Sequence, residues 1–276
     1  MTVAHDVAGD GPAVVLLHSS VCDRRMWEDQ RDALARAGYR VVCPDFRGFG
    51  DTPAEAVRPY RDADDVLALL DTLGIGRAAF VGASFGGGVA VEIAASRPDR
   101  VTALALLCTV LPGHERGPGL LAFDEEEDQL LGAGDLDAAV ELNVATWLGP
   151  EAGEAVRGRV RAMQRHAFEI QLAADAEAEA EQAGAESVDD DEPAVDPAAI
   201  TAPAVVVSGR HDLDDLRAVS ARLAGLIPGA RAVELPWAGH LPALERPAEV
   251  ADLLRDFLSD GVLHRDGAAT PVPPTV

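Results

Sequence analysis

The feature that most constrains this chain is a short stretch, Phe80-Val81-Gly82-Ala83-Ser84-Phe85-Gly86-Gly87-Gly88, set between an apolar run and a helical pattern. Residues 78–81 are apolar enough for an interior strand, and residues 89–96 read as a helix that Pro98 stops. Gly82 and Gly86 stand two positions on either side of Ser84. Without a Cβ at those positions, strand and helix approach closely enough to hold a serine in a strained turn with its hydroxyl pushed into the open. The spacing alone arises by accident in a Gly-rich chain, so the flanking strand and helix carry the reading.

The rest of the chain alternates strands and helices around this turn. Residues 2–7 and 13–18 read as strands joined at Gly9-Asp10-Gly11-Pro12, followed by a helix over 26–37 that Gly38 ends and a strand over 40–43. The glycine-punctuated turn Pro44-Asp45-Phe46-Arg47-Gly48-Phe49-Gly50-Asp51 reads as structural, held together by Asp45 and Arg47. Residues 62–73 form a helix with carboxylates toward its start, where the helix dipole favours them, and residues 101–107 are a near-continuous apolar run suited to a strand covered on both faces. This alternation predicts an α/β fold with a doubly wound, mostly parallel sheet. The rhythm breaks after Leu111. From 112 to 196 the pattern is helical, over 136–148 and 153–183, then acidic over 186–196, which predicts an inserted helical cap. Asp189-Asp190-Asp191-Glu192 lacks the turn glycine and spaced ligands of a hard-cation loop and reads as solvated. Strands resume at 204–208 and 231–235, with helices over 214–227 and 247–258. The expected organisation is a core of residues 1–111 and 197–261, a cap over 112–196, and a disordered tail over 262–276.

With 276 residues, one large domain carrying an insertion is the natural reading. A net charge of −24 should repel nucleic acid and anionic membranes, so neither is expected as a partner. All 23 basic side chains are arginine, from which no function follows. The three cysteines, Cys22, Cys43 and Cys108, form no C-x-x-C pair and suggest neither a disulfide framework nor a zinc site. No signal-like segment or membrane-length apolar run is visible, so a cytoplasmic protein is expected.

A serine hydroxyl is a weak nucleophile until a neighbouring base takes its proton, and the base needs a carboxylate to fix its tautomer. Of seven histidines, His240 stands out in Trp237-Ala238-Gly239-His240-Leu241-Pro242, a loop after the last strand. Asp212, in Ser208-Gly209-Arg210-His211-Asp212, is the best carboxylate, with Asp214 and Asp215 as alternatives that fall at the cap and first turn of the next helix. Parallel strands deliver their carboxyl ends to one edge of the sheet, so Ser84, Asp212 and His240 can converge there. His18 reads as a loop-shaping residue, His211 as orienting the Asp212 turn, and Cys22 as a small buried thiol. Met26, Trp27, Phe85, Leu111 and Trp147 are candidates to line an acyl pocket, or are ordinary core.

Four signatures occur in order: His18-Ser19-Ser20, Asp45-x-Arg47-Gly48-x-Gly50, the serine turn, and Gly209-x-x-Asp212 followed by Gly239-His240. Through them the chain resembles the α/β-hydrolase superfamily over nearly its whole length. The resemblance implies an oxyanion hole from the backbone N–H of Phe85 and that of Ser20, although most relatives have His-Gly where this chain has His18-Ser19. It also implies a sheet one strand shorter at the amino terminus than in larger relatives. The expected activity is hydrolysis of a small or medium carboxylic ester or lactone, with no metal or organic cofactor and a small-molecule substrate as the partner. Alternatives are an enol-lactonase acting on products of aromatic catabolism, such as 3-oxoadipate enol-lactone, a cofactor-free perhydrolase or haloperoxidase, a tailoring enzyme of secondary metabolism, and a non-catalytic ligand-binding protein. A nucleophilic serine, rather than aspartate, argues against dehalogenase and epoxide-hydrolase chemistry.

Overall fold

The computed structural model describes residues 2–54, 60–111, 113–181 and 195–263. Among these, strands β1 (His5–Ala8), β2 (Ala13–Leu17), β3 (Arg40–Pro44), β4 (Ala78–Ala83), β5 (Val101–Leu107), β6 (Ala204–Gly209) and β7 (Arg231–Leu235) form a seven-stranded sheet in the order β1-β3-β2-β4-β5-β6-β7. Only β1 runs antiparallel, against β3; the other pairs are parallel. From β2 the chain steps outward to β3 and then returns to place β4 on the opposite side of β2. The strand order therefore reverses between β2 and β4, the position at which open α/β sheets form a crevice.

Both faces of the sheet are covered, and the strand residues divide between them with a period of two. Leu16, Val81, Ala105 and Leu107 pack with Leu34 of α1 (Glu28–Arg36) and with Val250, Leu254 and Phe257 of α9 (Pro247–Leu263). Leu17, Phe80, Leu104 and Leu106 pack with Val66 and Leu70 of α2 (Asp62–Thr72), Val91 and Ile93 of α3 (Phe85–Ser96), and Leu223 of α7 (Asp214–Leu226). Two-sided burial explains why β4 and β5 read as unbroken apolar runs rather than alternating ones. Between β5 and β6 lie three helices, α4 (Pro118–Gly132), α5 (Leu136–Trp147) and α6 (Glu154–Glu181), and after β7 comes the single turn α8 (Pro242–Glu245). No described helix is long and apolar enough to cross a membrane.

The first strand starts at His5 rather than at residue 2, the expected helix over 26–37 is a short helical turn, Arg24–Trp27, followed by α1, and three further elements differ from the sequence reading. Helix α3 begins at Phe85, immediately after Ser84, rather than at Val89. Its glycines each cost about 1 kcal/mol of helix propensity, but a Cβ on Gly86 would stand 2.5 Å from the carbonyl oxygens of Leu17 and His18, and one on Gly87 would run into the Thr109 side chain, so close packing requires glycine at both positions. Helix α4 carries no buried residue and so left no apolar stripe to read. Helix α9 continues to Leu263, past the expected boundary at 261 and into the expected tail, because Phe257 and Leu258 bury its penultimate turns. The remainder of that tail, 264–276, and the acidic tetrad Asp189-Asp190-Asp191-Glu192 lie outside the described residues. At the end of the acidic stretch, Asp196 accepts from the Ala198 N–H at 3.0 Å and caps a short helical turn.

Candidate active site

Ser84 sits at the carboxyl end of the central strand β4 with φ 50° and ψ −117°, left-handed backbone that is costly for a residue with a Cβ. The surrounding hydrogen bonds fix it there. Its N–H donates to Leu107 O at 2.9 Å, and its carbonyl accepts from the Gly87 N–H at 2.9 Å. A Cβ on Gly82 would lie 2.5 Å from Gly87 Cα, so strand and helix meet at this turn through glycine. The side chain opens on a cavity of about 730 Å³ that Ser20, Phe85, Leu111, Trp147 and His240 also line.

His240 lies in the loop between β7 and α8, and its N–H donates to Trp147 O at 2.9 Å. Its Nδ1 stands 2.8 Å from Asp212 Oδ2, with the two side chains 3% and 1% exposed. The other carboxylate oxygen of Asp212 accepts from the Leu213 N–H at 2.8 Å. An ionised carboxylate fixed in this way requires the proton on Nδ1, which leaves the Nε2 lone pair available. Trp147 packs against the imidazole with ring centroids 4.7 Å apart. The Ser84 hydroxyl makes no hydrogen bond to His240 in this structure; the two side chains share the cavity wall.

Two buttresses of this loop were not visible in sequence. Glu245 accepts from the Gly239 N–H at 2.9 Å through Oε1 and from the Gly149 N–H at 3.2 Å through Oε2, so one carboxylate ties the histidine loop to the end of α5. Nothing in the spacing around Glu245 marks it. We expect Glu245→Ala to cost about 2–4 kcal/mol by stranding two backbone donors, read as a lowered urea midpoint, and to reduce kcat as His240 loosens. An unchanged midpoint would remove this role. Cys108, at φ 46°, donates its thiol toward Gly239 O at 3.6 Å. With Asp212 and His240 it forms a cluster whose ligand atoms lie within 4.8 Å, but burial and the adjacent Asp212 push the thiol well above its ordinary range. A protonated thiol is a poor metal ligand.

The remaining sequence candidates fall into place around the cavity. Phe85 opens α3, where its N–H has no carbonyl one turn back to bond, and among the described residues neither this N–H nor that of Ser20 has an acceptor. The neighbouring Ser19 N–H is engaged with Met26 Sδ at 3.4 Å. His18 accepts from the Phe46 N–H at Nε2, 3.0 Å, and bonds Ser19 O through Nδ1, 2.9 Å; burial lowers its pKa, so it stays neutral and shapes the loop. Asp45 accepts from the Arg24 and Asp51 N–H groups at 2.7 and 3.0 Å, and Arg47 pairs with Asp65 at 2.6 Å, which makes their turn structural. The Cys22 thiol is buried and pushed well above its ordinary range.

Two assignments need correction. Met26 and Trp27 do not line the cavity: both are fully buried in the core shared with Ala243 and Leu244 of α8, since the short helical turn that carries them faces inward. Asp214 is not a cap, because Leu213 holds that position. Asp214 instead pairs with Arg217 at 2.9 Å, while Asp215 accepts from the Leu120 N–H at 2.7 Å, so neither contacts His240. The side chain of His211 is exposed, and only its N–H braces the turn, donating to Ala238 O at 2.9 Å. Glu127, Asn143 and Gln164 line the cavity from the inserted helices and carried no motif that sequence reasoning could have found.

Comparison with known proteins agrees with this geometry. Residues 12–247 match the family model described as alpha/beta hydrolase fold. An epoxide hydrolase of Caballeronia sordidicola is 40% identical over 100 residues, covering 35% of this chain and 30% of that protein. A 2-hydroxy-6-oxononadienedioate/2-hydroxy-6-oxononatrienedioate hydrolase of Burkholderia vietnamiensis is 40% identical over 109 residues, covering 37% and 38%. The chain thus spans about a third of the length of these two curated relatives. Among solved structures, the enol-lactonase from Burkholderia xenovorans LB400 is 31% identical with a TM-score of 0.74, covering 93% of this chain and 96% of that one. A thermophilic esterase from Thermogutta terrifontis is 27% identical with a TM-score of 0.77, covering 94% and 93%. With the serine turn at the centre of the sheet and the family match running across nearly all of it, this chain belongs to the alpha/beta hydrolase family.

Proposed function

We propose that the chain is a serine hydrolase that cleaves a small or medium carboxylic ester or lactone through an acyl-enzyme. The observation that carries this reading is the buried 2.8 Å contact between His240 Nδ1 and Asp212 Oδ2, with His240 and Ser84 lining one cavity. In this reading His240 Nε2 takes the Ser84 proton as Oγ attacks the carbonyl carbon, and the Phe85 and Ser20 N–H groups receive the negative charge that develops on the carbonyl oxygen. Collapse of the tetrahedral intermediate breaks the bond to the alkoxy group, which leaves with the His240 proton. Water then attacks the acyl-Ser84 ester with His240 again as base, releasing the acid and restoring the serine. Asp212 stabilises the imidazolium in both halves. Leu111 and Trp147 form part of the acyl pocket.

The serine also argues against the chemistry named by the Caballeronia relative. Opening an epoxide with a serine oxygen would leave an ether, which offers no carbonyl for water to attack, so the enzyme would be spent after one event. A lactone is a cyclic ester and is open to the same steps, and full-length similarity to an enol-lactonase favours including it. The test is a panel of p-nitrophenyl esters, γ- and δ-lactones and styrene oxide. Hydrolysis of esters or lactones without epoxide opening is expected; epoxide opening without ester or lactone turnover would overturn the reading.

A further inference from the structure

The wall of the cavity contributed by the inserted helices is polar in an unusual way. Asn143 of α5 donates through Nδ2 to Glu127 Oε1 and, at 3.0 Å, to Ala139 O. Its Oδ1 accepts from Trp147 Nε1 at 2.9 Å, and Trp147 is the ring that packs on His240. Glu127 is therefore pinned by one oxygen, with Asn143 and Trp147 standing between it and the base. Its second oxygen has no partner among the described residues, and no described basic side chain forms an ion pair with it. Gln164 of α6 lies beside the same cavity and is 3% exposed; its Oε1 has no hydrogen-bond partner and is closed off from the cavity. The two arginines along the cavity are already committed, Arg61 to Glu92 and Arg116 to Asp124.

A carboxylate oxygen without a donor in the wall of a pocket is complementary to a donor-rich cation. We propose that Glu127, with Asn143 holding the carboxylate in place, forms a subsite for a primary ammonium group on the substrate, so that the preferred substrates are amino esters. An ammonium brings three N–H donors and no acceptor, which suits a free carboxylate oxygen, with water taking the remaining donors. Burial holds the Glu127 carboxyl above its ordinary range, as expected of a charge that lacks its counter-ion. The strongly acidic chain adds a field that draws cations toward the pocket and repels carboxylate-bearing substrates.

The proposal rests on the ester-hydrolase reading for its catalytic consequence, and the experiment separates the two. Three matched series of ethyl esters are compared at neutral pH, ending in ammonium, methyl or carboxylate; ethyl aminocaproate, ethyl heptanoate and monoethyl pimelate form one such set. At the chain length that fits, kcat/KM for the ammonium ester should exceed that for the methyl ester by about 10- to 100-fold, the scale of a charged hydrogen bond, with the carboxylate ester slowest. Glu127→Gln should bring the ammonium-to-methyl ratio near one, and Asn143→Leu, a second variant that frees the carboxylate, should reduce it. Equal or better turnover of the methyl ester at every length, or a preference that survives Glu127→Gln, would overturn the subsite. In parallel, calorimetry on the unmodified protein compares n-hexylammonium with n-hexanol. Tighter binding of the ammonium supports the subsite even where no ester is turned over, a result that would sink the ester reading alone; no preference for it overturns the subsite.

Discussion

Ser84→Ala should lower kcat for ester hydrolysis by about 10⁶-fold, the scale found when a serine protease loses its nucleophile. The effect is large because the acyl-enzyme route disappears entirely, leaving only the polarisation and binding that the rest of the site provides. The substitution removes one oxygen and keeps the Cβ, so the cost of the left-handed backbone at φ 50° is the same in both proteins and the fold should be retained. The Ser84 carbonyl and N–H still bond Gly87 and Leu107. Side-by-side purification, thermal unfolding and ester turnover check the expectation. Activity within tenfold of the unmodified protein would move the nucleophile elsewhere.

Asp212→Asn should cost about 10⁴-fold in kcat, with little change in melting temperature, through the tautomer of His240. Asp212 accepts from two donors, the Leu213 N–H at 2.8 Å and the Nδ1 side of His240 at 2.8 Å. An asparagine can satisfy only one of them with its single oxygen. If it keeps Leu213, its NH₂ faces Nδ1, which must then become the acceptor, and the proton moves to Nε2, where the base should be. If it turns to serve His240, the NH₂ group meets the Leu213 N–H, a donor against a donor. Either outcome removes the prepared base while preserving side-chain volume. Rates that fall at Asp214 rather than Asp212 would reassign the carboxylate, although Asp214 is occupied with Arg217 at 2.9 Å.

The parts of this molecule that sequence made legible are those governed by local rules. β5 coincides with its expected residues 101–107 because a strand buried on both faces is apolar from end to end and bounded by polar turns. Ser84, Asp212 and His240 stand out because each follows a strand and is attended by glycine. What escaped depends on folding at a distance. The start of α3 is obscured because three glycines look like a loop until the β2 backbone beside Gly86 and the Thr109 side chain beside Gly87 are known. Helix α4 has no buried stripe to betray it. Met26 and Trp27 are close to the His18-Ser19-Ser20 loop in sequence, yet the turn that bears them points their side chains into the core. Glu127, Asn143 and Gln164 are scattered over three helices, and only the packing of those helices makes one wall of them.

The bond from the His240 N–H to Trp147 O, with Glu245 bridging Gly239 and Gly149, has a bearing on how such proteins diversify. Exchanging the inserted helices for those of a relative is an obvious way to alter selectivity while retaining a working reaction centre. Here the end of α5 is also part of the scaffold that positions the imidazole, so the two modules are not separable at that seam. A chimera of this enzyme would have to retain residues 147–149 together with Glu245, or redesign both sides of the junction at once. Selectivity in this lineage is thus more readily changed by point substitutions along the far wall than by wholesale replacement.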